Sequence, residues 1–261
     1  MSEEGKSGLL LNIGWFSTGR DEAARQLLQA VQDKSHSGEI NGDISFVFSN
    51  REPGETKESD LFFELVRSYN IPLVCFSHRK FKASGEEKDW RIKYDREVNK
   101  RIEPFAPNLC VLAGYMLIVG EELCQKYNMI NLHPAPPGGP TGSWQEVIWA
   151  LIKNKADRAG AMMHLVTPEL DRGPVISYCL FSIKGAPFDQ YWQGGDKNML
   201  FQLIREHEVA REFPLIILTL QSLSRGDVGI KDGSVIDAQG KPIGGYNLSG
   251  KVDEEVQEKL K

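Results

Sequence analysis

Four apolar runs in the first half of the chain limit what it can fold into. Leu9–Ser17, Ile44–Ser49, Pro72–Phe76 and Leu109–Ala113 are continuous rather than alternating, the mark of strands buried on both faces. Stretches with helical spacing stand between them. These are Glu22–Gln32 (Ala23, Leu27, Ala30 and Val31 on one side), Asp60–Tyr69 and Trp90–Ile102. A tight turn cannot join parallel strands, so strand–helix–strand alternation of this length implies βαβ units with right-handed crossovers. The expected class is α/β with a parallel sheet.

The remaining segments fit around that frame. Thr18–Asp21 reads as a turn, Arg51–Gly54 as a polar loop and Lys80–Asp89 as a charged, exposed stretch. Met129–His133 is a further apolar strand, followed by Pro134–Pro140, too rich in Pro and Gly for regular structure. Ser143 is placed to cap a helix over Trp144–Lys153, with Glu146 as its capping-box partner. Gly160–Thr167 and Val175–Ile183 read as strands flanking a loop that carries Asp171. A long amphipathic helix is expected over Lys197–Ser224, with Leu200, Leu203, Ile204, Phe213, Ile216, Ile217 and Leu220 core-facing and a kink at Pro214. Gly226–Leu248 holds short strand-like pieces and Gly turns, and the charged Lys251–Lys261 is expected to fray.

Composition narrows the class of partner. The 261 residues carry a net charge of -5 and are 41% hydrophobic, enough for one large domain or two small ones. Mild acidity argues against a nucleic-acid surface over the whole protein. Cys75, Cys110, Cys124 and Cys179 form no CxxC pair, so no metal site and a reducing, cytoplasmic compartment are expected. The charged opening Met1–Gly8 reads as neither signal nor transit peptide, and no run approaches the ~20 apolar residues of a membrane span.

The chemistry concentrates at the end of the Met129–His133 strand. Alternation puts Asn131 and His133 on one face, and strand ends before irregular loops are where open α/β folds place reactive groups. A carboxamide N–H can hold the oxyanion of a tetrahedral intermediate, an imidazole can move a proton, and a carboxylate can orient that imidazole. Asn131, His133 and Asp171 would take these roles in acyl transfer to an amine. No Ser or Cys stands out as a nucleophile, which favours direct attack by the acceptor. His164, mid-strand, reads as structural, while His36, His78 and His207 have no constellation around them.

Three segments carry a resemblance: Val111–Met116, Asn131–Pro134 and Val166–Pro174. Together with Ser49–Asn50 and Glu208–Pro214 they are similar to segments of the folate-dependent formyltransferases, nearest to the glycinamide ribonucleotide formyltransferases of purine synthesis. The similarity runs from about Leu11 to Gly226. It implies a doubly wound, Rossmann-like sheet with helices on both faces and 10-formyltetrahydrofolate as donor. On this resemblance residues 1–226 form the catalytic domain, a nucleotide-binding-like half (9–126) and a catalytic and folate half (127–226), with 227–261 as a C-terminal extension. The family's catalytic Asn, His and Asp fall on Asn131, His133 and Asp171. Its pterin-cradling segment falls on Met116, Leu117, Ile118 and Val119, and the opposing loop on Thr167, Glu169 and Leu170. Acceptor contacts are expected from Thr18, Gly19, Arg20, Pro134 and Glu208.

Two departures lie on the acceptor path. Where the family carries G-x-G-S-N after the first strand, this chain has Gly19-Arg20-Asp21-Glu22-Ala23, whose acids suit a helix dipole but repel a phosphate. Ala135-Pro136-Pro137-Gly138-Gly139 replaces the usual Ser-Leu-Leu-Pro. The expected partners are therefore folate and a small amine, with a nucleotide-linked amino sugar as the alternative acceptor, and neither nucleic acid nor membrane. The chain is expected to be a monomer or homodimer. A non-catalytic folate-binding relative is the competing class. Thr18–Gln26 is also reminiscent of methionyl-tRNA and nucleotide-sugar formyltransferases, but the acidic Asp253-Glu254-Glu255 is a poor surface for tRNA. A nicotinamide enzyme is disfavoured, because the first turn lacks G-x-G-x-x-G.

Overall fold

A computed structural model describes residues 8–85 and 89–259. The expectations for Met1–Gly8 at residues 1–7, for Lys80–Asp89 at 86–88 and for the tail at 260–261 lie outside them. The chain folds as two compact units, one built on residues up to Asn131 with 166–169 and 224–226, the other on 132–165, 170–223 and 227 onward.

In the first unit every apolar run has become a strand, and each is parallel to its neighbours. β1 (Leu11–Phe16), α1 (Glu22–His36), β2 (Gly42–Ser49), α2 (Lys57–Ser68), β3 (Leu73–Cys75), α3 (His78–Ala83), α4 (Trp90–Ile102), β4 (Leu109–Leu112), α5 (Glu121–Lys126) and β5 (Met129–His133) follow in that order. β5 passes out of the unit after Asn131. The strands pair in the order β3–β2–β1–β4–β5. The chain winds outward from β1 to β3, then returns to β4 on the other side of β1. Right-handed crossovers therefore put α1 and α2 on one face and α4 and α5 on the other, as double winding requires.

Packing explains why these runs are apolar throughout. Phe16, Phe46, Phe48 and Leu112 lie under Tyr94, Val98 and Ile102 of α4 and Leu123 of α5, each buried side chain contributing about 1.5–3 kcal/mol. Gly14 makes room for this layer, because a Cβ there would sit 2.5 Å from the Phe46 ring. Leu27, Leu28 and Val31 of α1 and Phe62, Phe63 and Val66 of α2 are likewise buried. Asp21 caps α1 by accepting from the Ala24 N–H.

The second unit holds α6 (Trp144–Lys153), β6 (Arg158–Leu165), β7 (Val175–Ser182), α7 (Asp189–Gly194), α8 (Lys197–Arg225), β8 (Val228–Lys231), β9 (Ser234–Asp237), β10 (Tyr246–Asn247) and α9 (Ser249–Lys259). The Ser143/Glu146 capping box starts α6 as its sequence predicts. β6 and β7 are antiparallel, an exception to a mostly parallel architecture, and β10 runs parallel to β7. Leu200, Ile204, Ile216 and Leu220 of α8 are buried as expected, whereas Leu203, Phe213 and Ile217 are only half-buried. Pro214 lies inside the helix. β8 and β9 meet at Asp232-Gly233, both at positive φ, the type I′ geometry that suits a tight hairpin.

The tail differs from its sequence reading. Residues expected to fray form α9, because Val252 is fully buried and Asp253 pairs with Arg211 of α8 at 2.9 Å. Residues 227–261, read from sequence as an extension, fall in the second unit, where β10 and α9 lie against β7.

Candidate active site

The second unit gathers three side chains from separate elements. His133 is 3% exposed at the end of β5, and its Nδ1 lies 3.7 Å from Asp171 Oδ2. His164, in β6, places Nε2 3.6 Å from the other oxygen of that carboxylate. Asp171 reaches both imidazoles because its own backbone is left-handed, with φ +54°, a conformation Asp tolerates better than most residues. The Gly142 N–H donates to Asp171 Oδ2 at 3.1 Å. Gly142 has φ +104°, and a Cβ there would fall 2.7 Å from Glu146 Oε2, so glycine is required.

The environment settles the charges. Burial pushes the Asp171 carboxyl up, but bonds to His164 and Gly142 and the nearby imidazoles outweigh it and hold the group below the usual carboxylate range. Burial holds His133 below the ordinary histidine value, against the pull of the Pro140 carbonyl and Asp171. His133 Nε2 lies 3.0 Å from that carbonyl. A carbonyl only accepts, so Nε2 carries the hydrogen and Nδ1 faces the carboxylate. A proton arriving at Nδ1 makes an imidazolium directly opposite an anion. The Pro/Gly loop is pinned around this contact. Ala135 is buried among Val147 and Ile148 of α6, and Arg172 Nη1 donates to the Gly139 carbonyl at 3.3 Å.

The first unit supplies a different arrangement, at the point where strand order reverses between β1 and β4. Open α/β sheets bind ligands at such points. Thr18 N donates to the Gly114 carbonyl at 3.1 Å, and Thr18 Oγ1 accepts from the Met116 N–H at 2.9 Å. Arg20 Nη1 reaches the Met116 sulfur at 3.0 Å, and its Nε pairs with Asp21 at 3.1 Å. Gly19 has φ +60° and packs on Phe62. Met116 and Ile118 are apolar yet 49% and 39% exposed. Val119 is instead buried in the core beneath α4, and Leu117 packs partly against that core.

The residues singled out from sequence thus fall into separate groups. His133 and Asp171 meet, whereas Asn131 belongs to the first unit and shares with His133 one strand and, by alternation, one face. Thr18 and Arg20 meet Met116, and Thr18's side chain is spent tying two loops together. Thr167 Oγ1 donates to the Glu169 carbonyl at 3.1 Å, while Leu170 is 48% exposed. Pro134 is half-buried. Glu208 is fully buried on α8, with Arg205 3.6 Å away and already bonded to Glu212 at 2.6 Å. Burial and the Glu212 charge push its carboxyl well above the usual range.

His164 is the residue sequence reasoning passed over. Its Nδ1 does bond backbone, donating to the Leu165 carbonyl at 2.8 Å, but the opposite nitrogen joins the Asp171 cluster. The available signal was its position on the strand leading into the loop that carries Asp171.

Residues 17–184 match the formyl transferase family model. The phosphoribosylglycinamide formyltransferase of Schizosaccharomyces pombe is 31% identical over 159 residues, covering 57% of this chain and 74% of its own length. That of Escherichia coli is 32% identical over 156 residues, with 57% and 64% covered. A phosphoribosylglycinamide formyltransferase structure from Coxiella burnetii superposes with a TM-score of 0.71 at 22% identity, covering 92% of this chain and 99% of that one.

Proposed function

The chain belongs to the formyl transferase family, and from that premise we propose that it moves a formyl group from 10-formyltetrahydrofolate to a primary amine, with glycinamide ribonucleotide as acceptor. The observation that carries the reading is Asp171 held between two imidazoles, one of them at the end of the strand that bears Asn131. The exposed apolar side chains of Met116 and Ile118 fit a pterin ring.

In this reading the acceptor nitrogen attacks the formyl carbon, forming a C–N bond and an oxyanion. The Asn131 amide donates to that oxygen. His133 takes the proton from the new ammonium and delivers it to the departing folate nitrogen as the old C–N bond breaks, leaving tetrahydrofolate and the formamide. Asp171 stays ionised and stabilises the imidazolium in between.

His133→Ala tests this directly. Turnover, followed by tetrahydrofolate release, should fall about 10²–10⁴-fold, with folate affinity changed less than about threefold. Full activity in the variant refutes the assignment. A nucleotide-linked amino sugar is the second reading, favoured by Asp21 capping the N-terminus of α1, with Glu22 in its first turn, where a ribose phosphate would otherwise bind. Rates with the two acceptors side by side decide between them.

A further inference from the structure

We propose that Asp95 is a positioning residue for the folate, its carboxylate fixing, through the Gly120 N–H, the exposed segment from Met116 to Ile118. The inference rests on the formyl-transfer reading for the identity of the ligand, and on the first unit alone for the clamp itself.

The segment needs outside support to keep one course. Residues 113–120 form neither helix nor strand between β4 and α5. Met116 and Ile118 turn apolar side chains to solvent, whereas Tyr115 and Val119 on either side are buried. The Met116 N–H is held by Thr18 Oγ1 at 2.9 Å, but the N–H groups of Leu117 and Ile118 donate to nothing among the described residues. A loop of this kind presents a defined surface only when its ends are anchored.

Adjacent residues of α4 supply both anchors. Tyr94 is fully buried, stacked on Phe76 with ring centroids 5.0 Å apart, and its hydroxyl donates to the Phe76 carbonyl at 2.5 Å. With its hydrogen spent there, the Tyr94 oxygen accepts from the Tyr115 hydroxyl, which fixes the entry to the segment. Asp95 Oδ2 accepts from the Gly120 N–H at 2.6 Å, which fixes the exit. Glycine is required at this contact, because a Cβ on residue 120 would lie 2.5 Å from the same oxygen.

The charge on Asp95 is the second observation. Burial raises its carboxyl to about 6, against the pull of the Gly120 bond and Arg91 and with the help of Glu122. At neutral pH an anion therefore sits in a side chain that is 5% exposed. Holding it costs stability, as a neutral acceptor of the same shape would not. In return, a charge-assisted bond is about twice as strong as a neutral one, so the carboxylate grips Gly120 more firmly than an amide could. Stability is given up where the exposed segment is held, the pattern expected of a residue that serves binding.

The test sets stability against binding. Wild type, Asp95→Asn and Asp95→Ala are compared as full chains at neutral pH by urea unfolding, calorimetric titration with tetrahydrofolate and steady-state kinetics. In Asp95→Asn stability should rise while tetrahydrofolate binds about three- to tenfold more weakly, with KM for the formyl donor raised alike and kcat within about threefold. Asp95→Ala leaves Gly120 without an acceptor and should weaken binding by about tenfold or more; if it does not fold, Asp95→Asn carries the test. A purely structural role would move stability and binding in the same direction. Unchanged tetrahydrofolate affinity in folded Asp95→Asn overturns the proposal, as does a kcat that falls with KM unmoved. Amide hydrogen exchange reads the clamp without a ligand: Leu117, Ile118 and Gly120 should exchange about threefold faster or more in the variants, and equal rates overturn it. A wild type that binds no tetrahydrofolate overturns the formyl-transfer reading and the folate role together, whereas wild-type binding that the variants match removes this proposal alone.

Discussion

Asp171→Asn isolates the electrostatic part of the candidate active site, because the substitution changes charge and little else. Asparagine is nearly isosteric, tolerates the φ of +54°, and keeps an oxygen to accept the Gly142 N–H. What it loses is the negative charge 3.7 Å from His133 Nδ1. Both side chains are nearly inaccessible, 3% and 8% exposed, so solvent does little to screen the pair. At an effective dielectric of about 20 the attraction between an imidazolium and that carboxylate is about 4 kcal/mol. The amide dipole recovers part of it, so the proton-carrying state of His133 should lose about 3–4 kcal/mol, equivalent to about 10²–10³ in rate. Steady-state tetrahydrofolate release should show kcat lowered by that factor with KM within threefold. An NMR titration of the His133 ring should show its protonation moved to still lower pH, since the carboxylate now opposing the effect of burial is gone. A kcat within twofold of wild type, or an unmoved titration, would refute the claim that Asp171 acts through charge.

Two stability predictions concern the first unit. Asp95 is 5% exposed and accepts from the Gly120 N–H at 2.6 Å, and burial raises its carboxyl to about 6, with Gly120 and Arg91 pulling the other way. A folded value above the unfolded one favours the folded chain at low pH, and that advantage is lost as pH rises through about 6. Keeping Asp95 ionised at neutral pH thus costs about 3 kcal/mol, so Asp95→Asn should raise stability in urea unfolding at pH 7.5, with the gain shrinking by pH 4.5. A gain independent of pH, or a loss at pH 7.5, contradicts the assignment. Gly19→Ala forces a residue with a Cβ to φ +60° and drives that carbon to 2.8 Å from the fully buried Phe62 ring. The expected cost is about 2–4 kcal/mol, read as a melting temperature lowered by several degrees, and an unchanged melt counts against it.

The fold was legible because its signals are local. Parallel strands buried on both faces must be apolar throughout, so β1, β2, β3 and β4 appear as runs within a residue or two of their observed ends. The Ser143/Glu146 box fixes the start of α6 for the same reason, since both bonds lie within one turn. α9 was hidden because it is stabilised by tertiary contacts. Few of its residues are apolar, and what anchors it is Val252 buried in the second unit and Asp253 on Arg211. The short α3, α5 and α7 escaped notice for want of length, six residues giving too little periodicity to register.

The site was legible in its residue types and hidden in its connections. Asn131, His133 and Asp171 stand out because amide, imidazole and carboxylate at strand and loop ends are chemically distinctive even when far apart in the chain. Which atom meets which depends on backbone that composition leaves open. Nothing in Pro134–Pro140 says that the Pro140 carbonyl will turn toward His133. That direction follows from Ala135 being locked under α6 and Arg172 holding Gly139, contacts made from both ends of the loop. The consequence is chemical. With Nε2 donating to Pro140 and Nδ1 facing Asp171, both ring nitrogens are engaged by the protein itself. Any proton His133 exchanges with a reacting nitrogen must therefore be traded against one of these two contacts. Nδ1 takes up a proton on the side that faces Asp171, and Nε2 hands its own proton on only by giving up the neutral Pro140 carbonyl, so proton delivery and the loop are coupled through a single hydrogen bond.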